Sequence, residues 1–479
     1  MDLNYAALTP EIAMAALTLI LLAIGLLIPP GARKGMVPLS VFSLLGVFTY
    51  TLFDFFYGQQ GTFLGGMYYH DQFATFFKLL FLAAAILVVL FSGDYVQKFP
   101  AHRGEFYALI FSATLGMMLM AGAGDLITLY IGLELMTISF YVMVAYWPND
   151  GRSAEAGIKY LILGAASSAV LLYGISFIYG LTGSTQLAVI AGSLGSSTSA
   201  ASILAIVFFL AGFGFKISLV PFHLWAPDIY EGAPTPVTAF LAVASKAAAF
   251  AALIRVYLIT MGNQSMSGTG ETVLMVLAIL SMVVGNLAAI PQTNMKRMLA
   301  YSGIAQAGYL MVGVLAVSEA GVKAVLFYAM IYMFANLGAF AVVTHVGQAQ
   351  GSDDIEAFSG LAHRSPLAAA VLTASLLSLA GIPPLAGFVG KFYLFSAVMD
   401  SGYTAIAVIG FVMSMVSVYY YLRVIKVMYQ GEGIGLPVIK VQGATKFVLL
   451  FTFIITLGLG LYPAPLADLA NLAAGSLFP

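Results

Sequence analysis

The sequence runs to 479 residues, 61% hydrophobic and only 8% charged, with a formal net charge of −1. A soluble domain carries about 25% charged residues, so the chain reads as an all-α polytopic membrane protein. The sequence contains no cysteine, which excludes thiolate-held iron–sulfur clusters, disulfides and thiol catalysis and leaves any redox chemistry to a partner. No basic run exceeds two residues, which argues against nucleic-acid binding.

The first apolar stretch, Ile12 to Ile28, follows no basic segment and ends at no small-residue cleavage site, so it is expected as a retained span and not as a signal peptide. Windows of about 17 to 25 apolar residues cross a bilayer. They are predicted at 11–28, 38–57, 73–92, 105–122, 126–146, 157–181, 201–220, 237–260, 271–290, 299–316, 321–345, 366–399, 403–428 and 446–463. That makes about fourteen spans. The seventh carries Lys216 five residues before Pro221, and the twelfth is too long for one crossing and contains Pro383 and Pro384. Proline removes a backbone donor and clashes with the preceding turn, so helices 7 and 12 are expected to be discontinuous.

Basic residues set the orientation. With the N-terminus outside, the inner loops receive Arg33, Lys34, Lys98, Arg103, Arg152, Lys159, Lys296, Arg297, Arg364, Arg423, Lys426, Lys440 and Lys446, and the outer loops receive none. This obeys the positive-inside rule and puts both termini on the outer side. Lys78, Lys216, Lys246, Arg255, Lys323 and Lys391 fall within spans.

The two broken spans are five apart, an odd number, so helices 4–8 and 9–13 would run in opposite directions as two inverted five-helix repeats. Lys159 opening the sixth span and Lys323 opening the eleventh fit that pairing. The expected division is 1–104 for helices 1–3, 105–260 for the first repeat, 271–428 for the second, and 429–479 for the last loop and helix 14. The largest inner loop, 346–365, carries Asp353, Asp354 and Glu356 and reads as a solvated contact face.

Glu134 is the carboxylate predicted at greatest depth, on the fifth span. An acidic group there either switches with a nearby lysine or forms a static interhelical salt bridge. Lys216, Lys246 and Lys391 lie before a proline, at mid-span and after a diproline. An ammonium at bilayer depth costs about 2.5–3.5 kcal/mol on insertion scales, and lysine, unlike arginine, can give up its proton there. Snorkelling fits Lys78 and Arg255 better than these three. His223, just past Pro221, is a candidate relay or a packing residue. His345 and Lys323 are further relay candidates; an end-of-span anchor is the other reading of Lys323. No histidines pair at ligand spacing, so no metal site is expected. The Gly212-Phe213-Gly214 stretch lacks phosphate-loop spacing.

The run from Phe215 to Val237, with Lys216, Pro221, His223, Trp225, Pro227, Glu231 and Pro234, resembles the signature of the antiporter-like subunits of respiratory complex I and of Mrp-type cation/proton antiporters. The second run, Leu379 to Phe395, looks most like the subunit N branch, the counterpart of mitochondrial subunit 2. The resemblance covers nearly the whole chain. It implies a fourteen-helix core in which a glutamate on helix 5 and lysines on helices 7, 8 and 12 move protons, positions held here by Glu134, Lys216, Lys246 and Lys391. The lysine on helix 12 favours N over M, which has a glutamate there. The chain stops about sixteen residues after its last predicted span, unlike L, which continues into a lateral helix.

The resemblance further implies a bacterial inner-membrane location and M-, L-, K-, J- and A-type partner subunits. Quinone, NADH, FMN and iron–sulfur clusters are then expected in those partners, with no cofactor in this chain. An Mrp-type antiporter subunit, the equivalent subunit of a ferredoxin- or F420-linked relative, and a structural spacer remain open at this stage.

Overall fold

The computed structural model describes residues 5–29, 35–97, 103–147, 149–194, 199–261, 267–431, 438–441 and 443–478. Helices α1 (Thr9–Leu27), α2 (Met36–Tyr57) and α3 (Gln72–Val96) precede α4 (Arg103–Gly122), α5 (Leu126–Val144) and α6 (Gly151–Thr182). After the short α7 (Leu187–Leu194) come α8 (Ala200–Ile217), α9 (Trp225–Gly232), α10 (Thr235–Phe240) and α11 (Lys246–Val256). The second half holds α12 (Ser267–Ala289), α13 (Met295–Leu315), α14 (Glu319–Gln350), α15 (Leu361–Arg364), α16 (Pro366–Ala380), α17 (Ala386–Asp400) and α18 (Thr404–Gln430). The helices α19 (Gly443–Leu461) and α20 (Ala464–Gly475) end it.

Thirteen of the described segments are long and apolar enough to cross a membrane, and the end-to-end pair α16 and α17 makes the fourteenth crossing. The segment Thr235–Thr260, which joins α10 to α11 through one π turn and runs into a second after α11, is enclosed by protein along its apolar length, whereas α1, α2 and α19 are mostly uncovered. The bundle is therefore centred on the eighth span, with a periphery that meets lipid or partners.

The inverted repeat is visible in the backbone. Helices α6 and α14 are each 32 residues long, start at a side-chain-capped residue (Asp150, Ser318) and stop at a left-handed glycine (Gly183, Gly351). Asp125 bridges Gln186, and Asn294 bridges Asp354, so in both halves the start of one helix is pinned to the end of the 32-residue helix. Both breaks have the same form: Ser218 (φ 65°) ends α8 and Gly381 (φ 84°) ends α16, each two residues before a cis X–Pro bond, at Pro221 and Pro384. Close packing recurs as well, since a side chain on Gly116 would strike the backbone of Met136, and one on Gly285 that of Ala305.

Several expectations change. Lys159 is the ninth residue of α6 and Lys323 the fifth of α14, so they do not occupy matching turns. The 346–365 segment is tied down: α14 runs on to Gln350, and Asp353 pairs with Lys296 at 2.9 Å. The hairpin of β1 (Gly61–Phe63) and β2 (Tyr68–His70), α7 and α20 escaped a reading tuned to long apolar windows; α20 packs on α3 and α14. Arg33, Lys34 and Lys98, used for orientation, lie outside the described residues.

Lys78 and Arg255 do not snorkel. Lys78 is wholly buried with its Nζ 2.9 Å from Glu11 Oε1. Arg255 forks onto both oxygens of Asp71 at 2.7 and 2.8 Å and donates to the Ala121 carbonyl. Asp71 stands in the turn before α3 and caps Ala74. Burial pushes its carboxyl up, but the Arg255 guanidinium, together with the Ala74 N–H and the Lys78 ammonium, outweighs this and holds it below the ordinary value. That stabilisation is present above about pH 3.9, the unfolded carboxylate value, and is lost as the pH falls through the lower folded value. Arg255→Met leaves Asp71 buried without its counter-ion, at a cost of about 3–5 kcal/mol. Thermal unfolding in detergent near pH 7 is expected to show that loss, and a melting temperature equal to wild type would overturn the assignment.

Candidate functional site

Lys216 lies in the last turn of α8, where the Ser218 break leaves carbonyls without helical donors. Phe215 O there accepts from Trp225 Nε1 at 2.9 Å as well as from the Ser218 N–H at 3.0 Å. Lys216 itself is 4% exposed and reaches two hydroxyls, Thr137 Oγ1 on α5 at 3.2 Å and Ser168 Oγ on α6 at 3.3 Å. Glu134 stands one turn before Thr137 on α5, half-buried, with its Oε1 lacking any hydrogen-bond partner. No ion pair within 4.0 Å joins it to Lys216, so the expected pair is open, with Thr137 on the Lys216 side. Asp125 and Glu11, at 2% and 4% exposure, are more deeply enclosed than Glu134, but both sit at helix starts.

Lys246 follows directly on the π turn Leu241–Ser245. A π turn resets the side-chain register of what comes after it and recurs at functional sites. Here it aims Lys246 at α13, where Nζ donates to the Gly303 carbonyl at 2.9 Å. A Cβ at position 303 would lie 2.9 Å from that ammonium, so a side chain there would push Lys246 aside.

Lys391 on α17 turns back onto the α16 break. Its Nζ donates to Leu379 O at 2.8 Å, Ala380 O at 3.2 Å and Ser414 Oγ at 2.8 Å, and it lies 4.5 Å from the centre of the Tyr309 ring. The break frees these carbonyls and the lysine fills them. Each has a second donor too: Gln306 Nε2 for Leu379 O and Ser414 Oγ for Ala380 O.

These three lysines share one property. Each is at most 4% exposed, and among the described residues none has a carboxylate within ion-pair distance; hydroxyls and carbonyls hold them instead. Charged pairs occur elsewhere: Lys159, Glu155, Asp228, Arg297 and Glu231 form a chain of ion pairs joining α6, α9 and α13 at the end of the bundle away from the termini.

The relay candidates scatter. His223 is buried in the turn after the α8 break, and its Nδ1 has no hydrogen-bond partner. Lys323 lies at the start of α14 over the Tyr393 ring at 6.0 Å. His345 Nε2 is 3.2 Å from Lys440 O at the far end of the same helix, apart from the three lysines. Thr137, Ser168, Gly303 and Ser414 were not singled out beforehand. Thr137 carried a signal, three residues after Glu134 on one helix; the others are contacts between distant segments with none. No group of three His, Asp or Glu residues is placed to hold a metal among the described residues.

Doubly satisfied carbonyls predict non-additivity. Lys391→Met and Ser414→Ala each leave Ala380 O one donor, whereas the double variant orphans it. The pair is expected to destabilise by about 1–3 kcal/mol more than the sum of the singles. Additive denaturation midpoints would refute the shared cradle.

Comparison with known proteins agrees with this architecture. A family model described as NADH:quinone oxidoreductase/Mrp antiporter, transmembrane region, matches residues 123–417. The NADH-quinone oxidoreductase subunit N of Desulfitobacterium hafniense is 64% identical over 493 residues, covering 100% of this chain and 99% of the relative. That of Heliobacterium modesticaldum is 55% identical over 477 residues, covering 99% and 100%. A chain of respiratory complex I from Thermus thermophilus superimposes with a TM-score of 0.82 at 34% identity, covering 97% of this chain and 100% of that one. The chain belongs to the NADH:quinone oxidoreductase/Mrp antiporter membrane-subunit family.

Proposed function

We propose that this chain is the N-type, non-redox subunit of the membrane arm of a proton-translocating NADH:quinone oxidoreductase, and that Glu134, Lys216, Lys246 and Lys391 move its protons. The observation that carries this reading is the set of three buried lysines held by neutral groups alone. An ammonium locked to a carboxylate stays charged; one cradled by hydroxyls and carbonyls can discharge and leave its neighbours hydrogen-bonded. That is what a proton carrier requires.

In this reading quinone reduction in partner subunits changes the state of the membrane arm, and the Glu134–Lys216 pair closes or opens in response. Opening frees Lys216 to pass its proton toward Lys246 and on to Lys391. Two unit charges 4 Å apart attract by about 4 kcal/mol at an effective dielectric constant of 20. Moving one charge against 100 mV takes about 2.3 kcal/mol, so closing that pair is of sufficient size. His223 is a candidate link to the inner side, and Lys323 and His345 are candidates for lateral and terminal relay.

Quinone, NADH, FMN and iron–sulfur clusters belong to the partner subunits. The protein crosses the membrane many times and works with other membrane-arm subunits. The finer assignments are that those partners are of M, L, K, J and A type, that the membrane is the bacterial inner membrane, and that both termini face outward. The four-part division at 1–104, 105–260, 271–428 and 429–479 is likewise proposed, with the two middle parts as carrier units.

Lys216→Ala, assembled at normal levels in membranes, tests the reading through proton pumping and quinone reductase activity measured side by side. Loss of both is expected, by about tenfold or more. Retention of both would remove Lys216 as a carrier and leave a spacer role.

A further inference from the structure

The lysine positions alone leave a gap between Lys246 and Lys391, and the fold fills it with a buried seam of uncharged polar groups. The Leu379 carbonyl, freed at the end of α16, accepts from Lys391 Nζ at 2.8 Å and from Gln306 Nε2 at 3.0 Å. Gln306, on α13, is 1% exposed. Its Nε2 also reaches Tyr421 Oη at 3.4 Å, and its Oε1 accepts from the Tyr328 hydroxyl. Tyr421 Oη hydrogen-bonds Ser302 Oγ. Ser302 adjoins Gly303, whose carbonyl holds Lys246. The seam therefore runs by hydrogen bonds from the Lys391 ammonium through Gln306 to Ser302, one residue from the carbonyl that holds Lys246.

We infer that Gln306 is the positioning residue for proton transfer between Lys246 and Lys391, a role that rests on the carrier assignment proposed above. An amide has a donor end and an acceptor end that are not interchangeable. The Leu379 carbonyl requires the donor end, because turning the amide over would set two oxygens against each other. Oε1 is then committed to Tyr328, which must donate to it. Tyr421, receiving an N–H, is left to turn its own hydrogen toward Ser302. One amide thus orders the hydroxyls on both sides of it.

That order survives discharge of Lys391. When Lys391 is a neutral amine or swings away, Leu379 O still has Gln306 as donor, so the amide keeps its orientation. In the transfer an N–H bond breaks at Lys246 and one forms at Lys391, the proton passing by exchange along hydroxyls and water. Gln306 neither gains nor loses a proton. It acts by keeping the hydroxyls aligned.

The test uses membranes containing the assembled complex with Gln306→Leu, Gln306→Glu, Tyr328→Phe or Lys391→Ala, matched for subunit content, and reads quinone-coupled proton pumping against pH. Gln306→Leu keeps the bulk and loses both ends of the amide, and is expected to lower pumping about tenfold or more at every pH. A protonated glutamic acid keeps the polarity at the two main contacts, O–H toward Leu379 O and C=O toward Tyr328, and gives up only the longer contact to Tyr421 Oη at 3.4 Å. Gln306→Glu is therefore expected to pump within about threefold of wild type at acid pH and to lose that activity as the pH rises and the carboxyl ionises. Such a new alkaline limb would not follow from a packing role.

If Gln306→Leu pumps with the wild-type pH profile while Lys391→Ala does not, the positioning role is overturned and the carrier reading stands. If both pump normally, the carrier reading itself falls. Should Gln306→Leu fail to assemble, Tyr328→Phe decides, since it removes only the hydroxyl that feeds Oε1. A severalfold loss of pumping supports the role, and an unchanged profile refutes it.

Discussion

The structure depends on one constraint, the satisfaction of backbone carbonyls and ammonium groups where no bulk water reaches. A helix that stops inside a membrane exposes carbonyls that cost several kcal/mol each if left alone. A lysine in the same place has three donors to satisfy. Each is the other's remedy. At the α16 break the carbonyls of Leu379 and Ala380 and the Lys391 ammonium meet directly. At the α8 break the tasks are divided, with Trp225 and the Ser218 N–H closing the Phe215 carbonyl while Lys216 turns to Thr137 and Ser168.

Neutral cradles and charged pairs are kept apart. Full ion pairs lie at helix ends, where Lys78 meets Glu11, Arg255 meets Asp71 and Lys296 meets Asp353, and these fasten the first three helices and the chain's turns to the bundle. Along the centre, hydroxyls, an amide and carbonyls surround the lysines. A buried ion pair is costly to break, which suits a fastening. A hydroxyl or carbonyl tolerates either charge state of its neighbour, which suits a group that must discharge.

The pseudo-symmetry has consequences for how the halves differ. The break geometry, the 32-residue helices and the bridges at Asp125 and Asn294 repeat closely. The side chains do not: Glu134 stands on α5, whereas on the matching α13, which begins at Asn294 as α5 begins at Asp125, the corresponding place falls to Gly303. The first half thus presents a carboxylate, and the second presents a bare carbonyl that receives Lys246. One backbone serves two electrostatic arrangements.

Much of this was legible in the residues themselves. Apolar windows located fourteen crossings because lipid demands unbroken runs of apolar residues, and Pro221, Pro383 and Pro384 marked the breaks because proline cannot complete a helix. Rare charges within those windows named Lys216, Lys246 and Lys391. What tertiary structure alone decided was the partner of each charge. Lys78 and Arg255 look like surface anchors by position, yet they are buried against Glu11 and Asp71, residues 67 and 184 positions away in the chain (78 − 11 and 255 − 71). Nothing local distinguishes Gly303 from other glycines or Gln306 from other amides. Their roles arise where helix surfaces from distant segments meet, and helical periodicity carries no information about which surfaces those are.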